Sequence, residues 1–187
     1  MKILKRILLV LVVLIAVPLI VALFVNKDYA VEKEVTINKP KEEVFNYIRF
    51  LKNQDNFSKW AMTDPNMKKT YTATDGIVGF VSRWESENPD VGTGEQEIKN
   101  INEGERIDYE LRFIKPYEST EKAYMTTESV NGNSTLVKWG FNGSMKYPMN
   151  ITLLFMNFDK MIGGDFETGL NRLKTILESQ SSEPVQN

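Results

Sequence analysis

Residues 151–177 read ITLLFMNFDKMIGGDFETGLNRLKTIL, and their spacing decides how the chain is organised. Ile151, Phe155, Phe158, Ile162, Phe166, Leu170, Leu173 and Leu177 follow one another at steps of three or four. Such steps lay one apolar stripe along one face of a helix. The spacing therefore predicts a single long amphipathic helix over 151–177. Gly163 and Gly164 fall inside it, where each glycine costs about 1 kcal/mol relative to alanine. The stripe keeps phase across them, so the reading is one helix, thinned there for close packing against a strand or for a hinge.

Upstream the period changes. Val31, Val35 and Ile37 alternate with Glu32, Glu34 and Thr36, the pattern of a half-buried strand. Pro40 suits a first helical position, and Glu42 and Glu43 suit a first turn. Val44, Phe45, Ile48 and Leu51 make that helix's buried face, and a second short helix over 54–62 carries Phe57 and Trp60. Strands are then expected over 69–74, 77–86, 95–102, 106–114, 121–130 and 135–145, the last two joined by the hairpin signal Asn131-Gly132-Asn133. Strands grouped together and helices kept apart imply an α+β fold. The expected form is a curved seven-stranded antiparallel sheet around the long C-terminal helix, with two short helices after the first strand.

The run from Ile7 to Val25 is apolar throughout, long enough to cross a bilayer. A secretory signal has a shorter apolar core and a small-x-small cleavage site, which Ala22-Leu23-Phe24 does not supply. The segment is read as an uncleaved single-pass transmembrane helix. Lys2, Lys5 and Arg6 precede it, so the N-terminus is expected in the cytoplasm and the domain on the extracytoplasmic side. Asn26-Lys27-Asp28 spans at most roughly 10 Å, which keeps the domain against the bilayer. The expected organisation is an anchor and linker over 1–28, a domain over 29–179 and a disordered polar tail over 180–187.

The composition excludes several kinds of chemistry. With no Cys and no His, the chain lacks thiols, the commonest general base and the commonest metal ligand. The formal charge is −2, and without the three N-terminal cations the remainder carries about −5, a poor match to nucleic acid. Gly92 and Gly94 precede neither Lys-Ser/Thr nor a helix, so they form no phosphate loop. Carboxylates are not spaced for calcium, and neither a metal nor a cofactor is expected. Asp55 and Asp64 near Trp60 read as turn and capping residues. Arg83, Glu110 and Arg112 alternate with apolar neighbours, as do Glu95 and Glu97, and read as a solvated outer sheet face.

Residues 35–45, VTINKPKEEVF, carry a resemblance. A strand ending in Ile, then Pro, an acidic residue and Val-Phe, with Trp60 following, resembles the opening of the START-like, or SRPBCC, helix-grip superfamily. Gly169-Leu170-Asn171-Arg172-Leu173-Lys174 with Glu178 resembles its closing helix, and residues 133–139, NSTLVKW, are similar to one of its strand entries. The resemblance covers roughly residues 29–179 and implies a cavity between sheet and helix. In that superfamily the cavity holds lipids, sterols, polyketides or plant hormones, and some members are cyclases or dehydratases.

The expected concave faces are Val78/Phe80/Ser82/Trp84, Gln96/Ile98, Ile107/Tyr109/Leu111/Phe113, Met125 and Val137/Trp139/Phe141, closed by Phe155, Phe158 and Ile162 of the long helix. They serve equally as packed core or as the wall of a ligand cavity, with Ser82, Tyr109 and the Trp139 indole as polar handles. Residues 147–158 carry no charge and suit deeper burial against the short helices, or contact with membrane or another subunit. The functional expectation is a membrane-anchored domain that binds a hydrophobic small molecule, a lipid or polyketide-like compound. The alternatives are a cyclase- or dehydratase-type enzyme using the same cavity, and an interaction module with a filled core. Without His, Cys or an evident carboxylate pair, binding is favoured over turnover. The sequence leaves oligomeric state open.

Overall fold

The first strand finds its partner at the far end of the chain. In the computed structural model, which describes residues 2–179, β1 (Asp28–Ile37) pairs antiparallel with β7 (Ser134–Ser144). Between them lie α2 (Lys41–Arg49), a 3-10 turn (Leu51–Asn56), α3 (Lys59–Thr63), β2 (Lys68–Thr72), β3 (Val81–Glu85), β4 (Thr93–Asn102), β5 (Arg106–Lys115) and β6 (Ser119–Asn131). The sheet runs β1-β7-β6-β5-β4-β3-β2, antiparallel throughout. The apolar helix α1 (Lys2–Phe24) precedes it, and α4 (Phe158–Ser179) closes it. This is the expected α+β architecture; the 180–187 tail lies outside the described residues.

Register gives the sheet two distinct ends. Asp28 stands opposite Ser144, Phe113 opposite Ser119 and Thr93 opposite Lys115 at the end that receives α1. Ile37 opposite Thr135, Arg106 opposite Thr126 and the Asn131–Ser134 hairpin mark the other end. That far end is filled: Ile37, Val44, Phe45, Ile48, Ile107, Met125, Val137, Leu173 and Leu177 form a continuous buried cluster. Gly169 lets the Trp139 ring lie on α4, since a Cβ there would come within 2.9 Å of the indole. Phe166 then stacks on Trp139 with centroids 4.6 Å apart.

Two expectations are corrected. The stripe over 151–177 is not one helix: Met149–Leu154 is a separate 3-10 turn, and α4 begins at Phe158. Asn157 supplies the reason, because its Oδ1 accepts the Lys160 backbone N–H at 2.8 Å and caps a new helix start. Gly163 sits inside unbroken helix, where a Cβ would meet Lys33 Cε of β1 at 2.6 Å; this is close packing against a strand. The strand expected over 77–86 shrinks to Val81–Glu85, and Val78 is exposed. Gly76 and Gly79 adopt positive φ, and the Asp75 carboxylate ties the preceding turn to the Leu51 and Lys52 backbone N–H groups.

Candidate functional site

Because α4 starts late, only Ile162 and Phe166 of its apolar stripe cover the α1-proximal half of the concave face. A cavity of about 420 Å³ remains there. Its sheet wall comes from Ser82 and Trp84 on β3, Gln96 on β4, Leu111 and Phe113 on β5, and Trp139 and Phe141 on β7. Ile162 and Phe166 of α4, with Leu51, Gln54 and Trp60 from the segment after β1, close the other side. Pro89, Asp90, Lys115, Pro116, Tyr117 and Ser119 are its exposed lining residues, so the rim lies at the sheet end that receives α1.

Six expected cavity residues stand elsewhere. Tyr109, Met125 and Val137 are buried in the packed core, because their strand positions lie toward the end already filled by α2 and the C-terminal half of α4, and Phe80, just before β3, is buried with them, stacked on Tyr71. Phe155 faces out, having fallen in the break between the 3-10 turn and α4. Phe158 stacks on the outer side of Tyr29, centroids 4.1 Å apart, and it is Tyr29 that meets the cavity.

Two polar groups on the wall escaped the sequence reading. Glu121 sits on β6 opposite Leu111, on the inward face, 9 % exposed. Its position as the first inward residue of β6, alternating with Ala123 and Met125, was the available signal. Burial pushes its carboxyl above the ordinary value, against the opposing hydrogen bond that the Ser144 backbone N–H donates at 3.1 Å. Tyr29 beside it is pushed up to about 12, first by burial and then by the Glu121 charge. The second group is Gln54, buried on the wall, whose amide interacts with the core Tyr109 hydroxyl. Burial raises the Tyr109 phenol too, against the opposing interaction with the Gln54 amide.

The charged residues singled out from the sequence are engaged. Asp55 holds Lys69 at 2.6 Å and accepts from the Tyr71 hydroxyl at 2.9 Å, while Asp64 accepts from Ser86 and Asn66, so these two aspartates do not act as a pair. On the outer face Arg112 binds Glu95 at 2.6 Å, Glu97 at 2.7 Å and Glu110, a partly exposed ion cluster. Among the described residues no three acidic side chains converge to hold a metal ion.

No protein-family model and no curated relative matches the chain. Solved structures do. Norcoclaurine synthase from Thalictrum flavum, in complex with dopamine and hydroxybenzaldehyde, superposes with a TM-score of 0.61 at 9 % identity, covering 87 % of this chain and 94 % of that one. Ara h 8.0201 matches at TM-score 0.52 and 14 % identity, covering 82 % and 99 %. A structural-genomics protein from Nitrosospira multiformis matches at 0.54 and 18 %, covering 83 % and 100 %. This is the helix-grip fold. At such identities the likeness establishes architecture and leaves the helix-grip cavity to be read from its own residues.

Proposed function

We propose that this helix-grip domain binds a hydrophobic small molecule, a lipid or polyketide-like compound, while α1 anchors it to a membrane with the domain on the extracytoplasmic side. The observation that carries the reading is the cavity: about 420 Å³, its surface mainly apolar through Trp60, Trp84, Leu111, Phe113, Trp139 and Phe141, with polar groups such as Gln54, Asp55, Lys69, Ser82, Gln96 and Glu121 set among them. Its size falls in the usual range for small-molecule sites, and a surface that is mainly apolar by area suits a hydrophobic ligand oriented by the polar groups among it. The buried Gln54 amide, which interacts with the Tyr109 hydroxyl behind it, is a polar handle on the wall. A protein of the same fold was solved with two small aromatic compounds, which supports the same use here.

All three tryptophans of the chain line the cavity, so intrinsic fluorescence reports directly on its contents. The test titrates the full chain, in a detergent without acyl lipid, with fatty acids, isoprenoids and aromatic polyketides. Saturable quenching by one class is expected. Gln54→Met, which keeps the volume and removes the donor, should weaken it about fivefold. Quenching that never saturates for any class rejects the reading.

One observation favours the enzymatic alternative: a buried carboxyl with a raised pKa, Glu121, faces a small-molecule cavity beside Tyr29. Such a group is suited to donate a proton. Glu121→Gln separates the readings, because an enzyme would lose turnover of a bound compound while a binding protein would keep its affinity.

A further inference from the structure

The sheet end that carries the cavity rim also carries an apolar surface left uncovered by the described residues. Residues 147–158 hold no charged side chain. Within and just beyond them, Phe155 is 84 % exposed, Met149 62 %, and Leu154, Met156 and Met161 are exposed as well. A contiguous patch of this kind marks a contact surface. It is also held firmly. Asn150, fully buried, donates through Nδ2 to the Ala22 carbonyl at 2.7 Å and the Val25 carbonyl at 2.9 Å. Those are carbonyls at the end of α1, which the helix itself cannot satisfy. The 3-10 turn therefore caps α1, and the patch continues directly into the exposed Leu23 and Phe24.

That continuity selects the occupant. Apart from Ala22, α1 is not buried in the fold, and its apolar surface suits hydrocarbon. A surface bolted to its last turn meets the same phase. Charge does not oppose it: exposed Lys146 and Lys160 bracket the patch in the sequence, and of the acidic residues beside it, Asp28 and Asp159, the second is paired with Lys33 at 2.9 Å. The β5–β6 turn at the same sheet end presents Tyr117, 83 % exposed, on the cavity rim.

We infer that residues 147–161 form a second membrane contact, seating the domain on the bilayer with the cavity rim against lipid, so that its ligand enters from the membrane. The inference rests on reading α1 as a membrane span. The patch penetrates to interfacial depth, and the rim meets the headgroups.

The native chain has no cysteine, so single cysteines place a fluorophore at will. The full chain, labelled with an environment-sensitive dye at Leu11→Cys, Phe155→Cys, Tyr117→Cys or Val130→Cys, is reconstituted in phosphatidylcholine–phosphatidylglycerol nanodiscs with or without nitroxide lipids. All but the Leu11 site are exposed positions outside the membrane span, and Val130 lies by the far hairpin. Labels at Leu11 and Phe155 should lose roughly half their emission to acyl-chain nitroxides, as expected about 5–10 Å or more below the headgroups. The Tyr117 label should respond to headgroup nitroxides, and the Val130 label to neither. Quenching at Leu11 with water-like emission at Phe155 or Tyr117 overturns the inference and leaves the anchor standing. No quenching at Leu11 removes the anchor and the inference together. A blue-shifted Phe155 label that no nitroxide quenches, with cross-linked dimers, assigns the patch to a second copy and overturns it as well.

Discussion

Two leucines on facing elements should respond very differently to truncation. Leu173 of α4 is 0 % exposed and sits in the filled end of the core; Leu111 of β5 lines the cavity. Leu173→Ala removes a side chain contacted on every side and leaves a hole, so it should cost toward the upper part of the usual range of about 2–5 kcal/mol. The Leu111 side chain faces empty space on one side and has already forfeited part of its packing. Its truncation mainly removes transferred apolar surface, roughly 1–2 kcal/mol. The difference, about 2 kcal/mol, corresponds to about 4–8 °C in midpoint for a domain of this size. Urea and thermal unfolding of the full chain in mild detergent, followed by fluorescence of the three domain tryptophans, measures it. Similar losses for the two variants would mean that Leu111 is packed as tightly as Leu173, and the cavity argument would fail.

A reporter fused after Asn187 should read as extracytoplasmic, and mass spectrometry of the mature chain should find Met1–Val25 retained; protein beginning near Lys27 would refute the anchor. Glu121 gives a pH dependence with a definite sign. Its pKa is raised on folding, so the native state holds the proton more tightly; stability falls as pH rises above the unfolded carboxylate value, and the cost persists above the folded pKa. Glu121→Gln should therefore be more stable than the parent at pH 7, and the gain should vanish below about pH 4. A gain that does not change with pH would place the effect in something other than ionisation.

Local periodicity was enough for the architecture. Strand alternation from Val31 to Ile37, the Pro40 helix start, the Asn131-Gly132-Asn133 hairpin and the Leu170/Leu173/Leu177 stripe are each written within a few residues, where neighbouring side chains dictate backbone preference. The charged outer face was legible for the same reason: alternation on β5 sends Glu110 and Arg112 out as it sends Tyr109 and Leu111 in.

The cavity depended on where elements end in space. A stripe in phase from Ile151 to Leu177 concealed the break at Asn157, because a helix cap competes with periodicity through a single hydrogen bond. That break turned Phe155 outward, set Phe158 behind Tyr29 and left the α1 end of the sheet unfilled. Inward Glu121 and Gln54 converge on that space from segments more than sixty residues apart in the chain. Alternation can say which side of a strand a residue faces. Whether that side meets a helix or a void is settled by the packing of distant elements, which no local pattern encodes.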